Sequence, residues 1–497
     1  MAHEHVDVLV IGAGLSGIDA VVRLRERLPD LTIAVLEARD AIGGTWDLFR
    51  YPGVRSDSDM LTLGYPFRPW NGAGLADGPS ILRYVEETAR EYGVDRLIRF
   101  GHRVERAEWC GDDARWTVHA RRADTGDPVV LTCSFLFCAT GYYRYDEGYT
   151  PALPGIERFT GPVVHPQQWP SDLDWAGRRV VVIGSGATAV TLLPALAETA
   201  AHVTMLQRSP TYVLSMPSRD PWGNRLRAWL GPRRAYPLLR WRSILLTQAS
   251  FRLSRRAPAL MRSLLRRGAA AQLPDGYDVD RHFAPRYDPW DQRLCLAPDG
   301  DLYRAIGSGR ASVVTDEIDS FTAGGIRVRS GEEIPADVVV TATGLNLLAL
   351  GGISLVVDGR GVDLAESVAY KGMMLSGVPN LALALGYTNA SWTLKCDLVS
   401  RYVARLLDHM RRNGFDTVTP LPPPDARRLP LIDLAAGYVR RGLAAMPTQG
   451  VRWPWRLHQS YPRDLVLLGL GRVDDEGVRF GRARTRRGSD HAVGSAV

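Results

Sequence analysis

The sequence has almost no lysine: Lys371 and Lys395 are its two lysines, so arginine supplies nearly all of the positive charge. Cysteine is also scarce, with five residues at scattered positions, and an odd number argues against a disulfide framework. No cysteine–histidine cluster has the spacing of a zinc site, so no bound metal is predicted. The small, odd number of scattered cysteines favours a reducing compartment.

Long apolar runs are missing as well, because Gly, Asp or Arg interrupts each hydrophobic stretch before the roughly 20 residues that a membrane-spanning helix needs. Residues 1–7 show no basic segment followed by an apolar one, so no secretory signal is predicted. We therefore expect a cytoplasmic protein without a transmembrane segment. Its 497 residues allow roughly three domains of ordinary size.

A net charge of +7 raises the question of nucleic-acid binding. The arginines are spread along the chain, however, and no helix-turn-helix, RNA-binding or zinc-finger pattern accompanies them. Two anionic dinucleotides and a solvated surface explain the charge more simply, so no nucleic-acid partner is predicted. Oligomeric state cannot be deduced from these features.

One pattern occurs twice. An aliphatic run at 7–11, suited to a buried parallel strand, leads into the glycine-rich turn 12–17, an amphipathic helix at about 18–28 and a second strand at 32–36 that ends in Glu37. This is a dinucleotide fingerprint. The glycines let the backbone approach a pyrophosphate, the helix N-terminus offers free N–H groups, and the carboxylate accepts hydrogen bonds from a ribose.

The pattern recurs at 179–183, followed by the turn 184–189, in which alanine replaces the third glycine. The next strand, at 202–206, leads into Gln207, Arg208 and Ser209 instead of a carboxylate. A carboxylate there would repel a 2′-phosphate, whereas arginine and a hydroxyl would bind it. The first unit therefore suits FAD and the second suits NADPH.

Two further strands, at 135–138 and 337–341, run into Ala-Thr-Gly and mark crossovers between nucleotide domains. We predict an α/β fold with two Rossmann-type dinucleotide-binding domains, for FAD and NADPH, and a helical insertion. The predicted segments are 1–150 (FAD domain, first part), 151–216 (NADPH domain, first part), 217–285 (helical insertion), 286–344 (NADPH domain, second part), 345–481 (FAD domain, second part) and 482–497 (disordered tail).

Between about Pro217 and Asp280, arginine alternates with leucine, tryptophan, isoleucine and methionine, as in helices with a basic face. This pattern is typical of a solvated face above a packed stripe. It also leaves peripheral contact with a membrane surface open.

Disulfide reductases share an architecture with two dinucleotides but need a redox cysteine pair beside the flavin. Cys133 and Cys138 lie in a predicted buried strand and are interpreted as core residues. Thr45, Trp46 and Asp47 stand where such enzymes carry their pair. A disulfide reductase is therefore disfavoured.

Two segments identify the chemistry. Residues 43–57 fit G-G-x-W-x4-Y-P-G-x3-D, and residues 159–170 fit F-x-G-x3-H-x3-W-P, at every fixed position. The chain thus resembles the Baeyer–Villiger monooxygenases, class B flavoprotein monooxygenases. Further segments resemble the ethionamide-activating branch of that family in mycobacteria: 57–60, 145–149, 289–295, 387–395 and 453–457. The likeness is weakest in the insertion and the tail, so it carries over the reaction better than the substrate.

The resemblance implies that NADPH reduces the flavin, which traps dioxygen as a C4a-peroxide and converts ketones to esters or lactones. Arg293 matches the family's catalytic arginine, and Asp57 matches the carboxylate that orients it. Many members carry a lysine just before that arginine, and this lysine helps to bind the 2′-phosphate. This chain has Gln292 there, so Arg208 is expected to supply most of the binding to the 2′-phosphate. The motif residues Phe159, Gly161, His165 and Trp169 are expected at a hinge between the two domains.

The remaining expected site residues bind cofactors. Those expected to contact FAD or NADPH are Gly12, Gly14, Ser16, Gly17, Glu37, Gly44, Thr45, Trp46, Asp47, Leu48, Arg55, Ser56, Asp57, Val104, Gly184, Ser185, Gly186, Ala187, Thr188, Ala189, Val190, Arg208 and Ser209. The expected partners are dioxygen and a small ketone or sulfide. Oxygenation of sulfides, thioamides or amines is the nearest alternative function; a nucleotide-binding protein or an NADPH oxidase without oxygen transfer is the alternative from another class.

Overall fold

The computed structural model describes residues 3–483. The tail predicted at 482–497 therefore lies, from residue 484 onwards, outside the described residues.

The strands are β1 Glu4–Ile11, β2 Ile33–Leu36, β3 Ile98–Arg99, β4 His102–Cys110, β5 Arg115–Arg122, β6 Pro128–Cys138, β7 Tyr143–Gly148, β8 Val163–Val164, β9 Arg179–Ile183, β10 His202–Gln207, β11 Val213–Met216, β12 Cys295–Pro298, β13 Ala311–Thr315, β14 Ile318–Thr322, β15 Gly325–Val328, β16 Glu333–Pro335, β17 Val338–Thr341, β18 Leu345–Leu347, β19 Ser354–Val357, β20 Arg360–Gly361, β21 Ala369–Tyr370, β22 Met374–Leu375, β23 Leu381–Leu383, β24 Thr417–Pro420, β25 Leu429–Pro430, β26 Thr448–Gln449 and β27 Val478–Gly481.

The α-helices are α1 Leu15–Arg27, α2 Thr45–Leu48, α3 Met60–Leu63, α4 Gly78–Glu91, α5 Ala187–Leu196, α6 Pro221–Leu230, α7 Pro232–Arg256, α8 Pro258–Ala270, α9 Val279–Phe283, α10 Asp301–Gly307, α11 Trp392–Asn413, α12 Gly437–Gly442 and α13 Tyr461–Asp464. Single turns of 3₁₀-helix and a π-helical segment, Leu465–Leu470, connect some of them. Within residues 3–483, no helix is long and apolar enough to cross a bilayer.

The first sheet carries the first glycine-rich turn. Its strand order is β20-β19-β4-β5-β6-β1-β2-β3, and β23 also pairs with β6. The strands β2 and β6 flank β1 in parallel, whereas β4, β5 and β6 form an antiparallel meander. Helices α1 and α11 pack together, and their apolar side chains share one core with β1. The carboxyl end of β1 therefore meets the amino end of α1, where a dinucleotide phosphate is bound in this fold.

The second sheet, β13-β10-β9-β17-β8, is parallel throughout. Its central strand β9 matches the prediction at 179–183, and α5 packs against β9 and β10. Two Rossmann-type units in one chain confirm the predicted fold class. The first strand is longer than predicted because Glu4 and His5 pair with Leu131 and Thr132 of β6, partners too distant in sequence to anticipate.

Helices α6 to α9 form the segment between β11 and β12, which agrees with the expected helical insertion. The inner face of α7 rests on the first unit through a buried arginine. Arg240 Nη1 donates to the carbonyl oxygens of Leu61 and Gly64, both at 2.7 Å. Tyr236 Oη donates to Tyr65 O at 3.0 Å. These bonds pair the buried guanidinium with backbone acceptors and hold the insertion beside α3.

Candidate active site

The first glycine-rich turn is built for close backbone approach. Gly12 has φ of +105°, and a Cβ there would lie 2.6 Å from Ala139 O. At the end of β2, Glu37 is buried and accepts from the backbone N–H groups of Ala13 at 2.7 Å and Arg39 at 2.9 Å. The turn, the start of α1 and a fixed carboxylate thus face one space, and this arrangement fits a dinucleotide with its ribose at Glu37.

That space is a cavity of about 650 Å³. The cavity gathers residues that the sequence places far apart. The predicted site residues that line it are Gly12, Gly14, Ser16, Glu37, Gly44, Thr45, Trp46, Arg55, Ser56, Asp57, Val104, Thr188 and Arg293. Its size suits a cofactor or drug-sized ligand, and its walls come from both nucleotide units.

Arg293 and Asp57 meet at the wall of this cavity, although 236 positions separate them. Arg293 Nη2 donates to Asp57 Oδ1 at 3.0 Å and to Ser58 Oγ at 3.0 Å, and Nε lies 2.6 Å from Asp57 Oδ2. Both planar groups are therefore held by a bidentate contact. Within residues 3–483, Arg293 Nη1 has no hydrogen-bond partner of its own, so it remains available to a bound molecule.

Three tyrosines lie close enough to Arg293 to affect its charge. Burial by itself would lower the pKa of Arg293, but Asp57, Tyr142, Tyr438 and Tyr143 outweigh it, and the pKa is raised. Tyr142 Oη lies 2.9 Å from Tyr143 Oη, and the Tyr142 ring is stacked 4.9 Å from that of Trp392. Burial also raises the pKa of all three phenols, which keeps them neutral beside the guanidinium.

The loop before Asp57 ties the two units together. Arg55 forms an ion pair with Asp301 at the start of α10. Burial raises the pKa of Tyr51 to about 12, against a hydrogen bond with Thr188 that lowers it. A Cβ on Gly53 would lie 2.7 Å from Ala195 Cβ on α5, so only glycine fits there. Asp57 is thereby positioned by contacts with the second unit.

Asp47 and Leu48, also expected at the flavin, belong to the short helix α2 and do not line the cavity. The Asp47 carboxylate is buried and pairs with Arg39 and with Arg50, the latter at 2.8 Å. Arg39 itself lines the cavity. Gly17 lies one turn into α1, where a Cβ would clash with Gly12 O at 1.9 Å.

The second glycine-rich turn lies apart from the cavity, except for Thr188. Gly184 has φ of +136°, and a Cβ there would lie 2.3 Å from Ala342 O. Ser185 Oγ donates to Ser209 O at 2.9 Å, which joins the turn to the end of β10. Arg208 is exposed, and among residues 3–483 its guanidinium has no acidic or hydrogen-bond partner. The remaining predicted residues of this turn, also outside the cavity, are Gly186, Ala187, Ala189 and Val190.

The motif residues between the two units lie away from the cavity and pack at their junction. His165 Nε2 donates to Gly344 O at 3.1 Å, and Nδ1 accepts from Gln167 N at 3.2 Å. Gly148 lies against the imidazole ring, since a Cβ there would come within 1.9 Å of it. Burial lowers the pKa of His165 and so favours the neutral ring that these bonds require.

Phe159, Gly161 and Trp169 complete that motif. The Phe159 ring packs edge-on against Phe321 at 6.1 Å, and the Trp169 ring packs in the same way on Trp175 at 5.7 Å. A Cβ on Gly161 would lie 2.3 Å from Asp337 O. These contacts belong to the second unit, so the motif forms part of its surface toward the crossover strands.

Several site residues were missed by the sequence reasoning. Tyr142 and Tyr143 follow the crossover 139–141 directly, a signal that could have found them. Ser58 could have been found only as the residue that follows Asp57. No sequence signal pointed to Tyr438. Cys133 and Cys138 are buried as predicted, and burial raises the pKa of Cys138 to about 12.

Comparison with known proteins is consistent with this geometry. Residues 65–227 match the family described as flavin-binding monooxygenase-like, and residues 10–84 match the NAD(P)-binding Rossmann-like domain. The chain is 54% identical to the FAD-containing monooxygenase EthA of Mycobacterium tuberculosis over 96% of its own length and 98% of that protein. The chain belongs to the FAD-containing monooxygenases. The predicted membership of the flavoprotein monooxygenases, the monooxygenase activity and FAD as cofactor are thereby confirmed.

Other members and more distant structures extend the picture. EthA of Mycolicibacterium smegmatis is 52% identical over 97% of this chain and 98% of that protein. The open structure of cyclohexanone monooxygenase has a TM-score of 0.76 at 22% identity, covering 96% of this chain and 99% of that one. A steroid monooxygenase bound to NADP has a TM-score of 0.74 at 23% identity, covering 96% and 100%. At this identity the likeness establishes the shared fold.

Proposed function

We propose that this FAD-containing monooxygenase is of the Baeyer–Villiger type and uses NADPH and dioxygen to convert ketones to esters or lactones. The observation that carries the proposal is the bidentate pair of Arg293 and Asp57 at the wall of the cavity. The likeness in fold to cyclohexanone monooxygenase and to a steroid monooxygenase supports it.

The residues present fit both cofactors. FAD would be held by the turn 12–17, by Glu37 at its ribose, by residues 44–46 and 55–57, and by Val104. A Cβ on Gly44 would lie 3.2 Å from Gly14 Cα, so the two glycines form a cradle that side chains would fill. NADPH would be held by residues 184–190, with Arg208 and Ser209 at its 2′-phosphate. When bound and reduced by NADPH, FAD supplies the activation of dioxygen.

Arg293 provides a fixed positive charge where the reaction needs one. Its guanidinium stays protonated, and Asp57 and Ser58 hold Nε and Nη2, which leaves Nη1 to donate toward the substrate. Negative charge develops on the ketone oxygen as the new carbon–oxygen bond forms, and a preorganised donor stabilises it. Asp57 therefore acts as the orienting group.

The same cavity supports oxygen transfer to sulfur as a second activity. Tyr142, Tyr143 and Tyr438 are neutral phenols beside Arg293, because burial raises their pKa. A neutral phenol donates a hydrogen bond to the oxygen being transferred, and an oxygen polarised in this way reacts as an electrophile with sulfides and thioamides.

We also propose the division into domains given by the sequence. Residues 1–150 and 345–481 form the FAD domain, 151–216 and 286–344 form the NADPH domain, and 217–285 are inserted between the two parts of the latter. The two sheets support this division. His165 contacts Gly344 at the second crossover, which supports a hinge role for the motif 159–169.

The test is product formation by FAD-loaded protein with NADPH, oxygen and 2-octanone, in wild type and Arg293→Ala. We expect ester from the wild type and a loss of roughly 100- to 1,000-fold in kcat in the variant, with NADPH still reducing the flavin. Arg255→Ala, which breaks an ion pair with Asp291 outside the cavity, is the matched control and should keep activity.

Three results would contradict the proposal in whole or in part. Wild-type protein that consumes NADPH but releases only hydrogen peroxide, with 2-octanone and with thioanisole, excludes oxygen transfer. Ester formation by Arg293→Ala at the wild-type rate excludes the role assigned to that residue. Sulfoxide without ester would leave sulfur oxygenation as the function.

A further inference from the structure

The helical insertion concentrates positive charge to an unusual degree. Residues 221–274 contain twelve arginines and no aspartate or glutamate. Four of these arginines pair with carboxylates that flank the segment, as Arg266 does with Asp280 at 2.6 Å. Six exposed arginines have no carboxylate within ion-pair distance in the described part of the chain: Arg225, Arg233, Arg234, Arg252, Arg256 and Arg267.

Large apolar side chains are exposed between these arginines. Trp222 and Trp229 on α6 are 74% and 81% exposed. Seven positions separate them, so they lie on one face of that helix. Of the large hydrophobic side chains exposed within residues 3–483, most belong to this segment. They follow a helical spacing in α7, with Leu238 and Leu245, and in α8, with Leu260 and Leu264.

The exposed faces are the outer ones. The opposite face of α7 is buried against the first unit through Tyr236 and Arg240, and Leu226 and Leu230 of α6 pack toward Tyr236 and its neighbours. The apolar side chains on the outside are therefore surplus to this packing. Patches of that kind on a folded protein mark a contact with another surface.

The arginines also oppose helix stability. Arg233 and Arg234 stand in the first turn of α7, where the helix dipole disfavours positive charge. A positive, apolar surface of this composition is that of a helix lying in a lipid interface, with arginine extended toward phosphate and tryptophan at headgroup depth. None of the described helices could cross the bilayer, so the contact would be peripheral.

We propose that the outer faces of α6, α7 and α8 dock on an anionic lipid bilayer. A second copy of the chain is a poorer occupant, because a two-fold interface would set this patch against itself and bring like charges together. Nucleic acid matches the charge but not the exposed leucines. The inner face of the insertion holds α3, which begins at Met60, three positions after Asp57, so the proposed docking segment is connected to the site through α3.

Co-sedimentation of the FAD-loaded enzyme with phosphatidylcholine vesicles, with and without 30% phosphatidylglycerol, tests the proposal. We expect binding to the anionic vesicles, weaker binding in 0.5 M NaCl, and little binding to the neutral ones. Arg233→Glu with Arg234→Glu should weaken the partition coefficient by at least about tenfold. Trp222→Ala with Trp229→Ala should weaken it by a similar factor, since both rings lose their interfacial contact.

The matched controls are Arg96→Glu with Arg360→Glu, exposed arginines outside the insertion, and Phe100→Ala; these should bind as the wild type does. FAD content and NADPH oxidation, unchanged in every variant, show that each is folded. Equal binding to neutral vesicles, or binding that both double variants retain, would overturn the proposal. So would a dimer in sedimentation velocity that the same variants dissociate, or tighter binding to a 20-base-pair DNA duplex that Trp222→Ala with Trp229→Ala leaves intact.

Discussion

The two glycine-rich turns of this monooxygenase share one backbone frame. Gly12 N donates to Leu36 O at 2.8 Å, and Gly184 N donates to Leu206 O at 2.9 Å. Each glycine has a positive φ, and in each unit a neighbouring Ala-Thr-Gly crossover leaves no room for a Cβ. The equivalent bonds align the two units residue by residue.

The difference begins one residue later. Glu37 is fixed by the N–H groups of Ala13 and Arg39, so its carboxylate stays at the turn. Its counterpart, Gln207, is turned away, and its Nε2 donates to Thr315 Oγ1 at 2.9 Å. The glycines thus provide the frame, and we propose that the residues that follow the second strand decide which nucleotide the frame accepts.

The largest effect is expected from Gly17→Ala, which inserts a methyl group 1.9 Å from Gly12 O. In the second unit Ala189, buried at the equivalent position, already carries this methyl group. We expect the variant to lose FAD and more than about 3 kcal/mol in free energy of unfolding, because neither backbone can move away. Flavin absorbance of the purified protein and its denaturant midpoint measure both.

The reverse change, Ala189→Gly, is its control. It should cost only about 1 kcal/mol, the difference in helix propensity, and leave the flavin content as in the wild type. Full flavin occupancy in Gly17→Ala would show that the third glycine is not needed in the first unit either.

A smaller effect is expected from exchanging the residues that differ. Glu37→Gln removes the charged acceptor proposed for the FAD ribose, and a hydrogen bond to a charged group is worth about 1.5–3 kcal/mol, so the FAD dissociation constant should rise roughly 10- to 150-fold. Gln207→Glu should leave FAD binding unchanged and raise the KM for NADPH. If Glu37→Gln instead bound FAD normally, the carboxylate would not be the residue that distinguishes the two units.

Next comes the charge of the second unit. Arg208→Ala should raise the KM for NADPH roughly 10- to 100-fold, because a hydrogen bond to a phosphate is worth about 1.5–3 kcal/mol. The KM for NADH should change less than twofold, since it lacks the 2′-phosphate. Arg310→Ala, an exposed arginine bonded to Ser308 in the same unit, is the control. Equal losses with both nucleotides would place Arg208 away from the 2′-phosphate.

The frame of both units could be predicted because it depends on local sequence. The strand at 179–183 was placed correctly, and α1 begins at Leu15 rather than Ile18 because Gly14 serves as its N-cap. Residues whose role depends only on their neighbours in sequence, such as Glu37, were likewise within reach.

Contacts between distant segments could not be predicted in the same way. Tyr438 lies almost 300 positions from Tyr142, and only the folded chain brings both beside Arg293. The exposed tryptophans of α6 are another case, because alternation of arginine with apolar residues does not tell which face is buried. Arg293 was found only through the family resemblance.

The smallest effect expected concerns the junction of the units. Because Nδ1 of His165 accepts from Gln167 N, the ring cannot take a second proton without losing that bond, and burial lowers its pKa in the folded protein. An unfolded histidine takes up its proton below about pH 6.5, so stability should fall as the pH drops from 7 to 5.5. The difference in denaturant midpoint between the wild type and His165→Gln measures this contribution. This difference in midpoint should shrink toward low pH, because only the wild type loses the stability that depends on a neutral His165. The control variant His3→Gln should have the midpoint of the wild type at each pH. A difference that stays constant over this range would mean that His165 remains as easily protonated in the junction as in the unfolded chain.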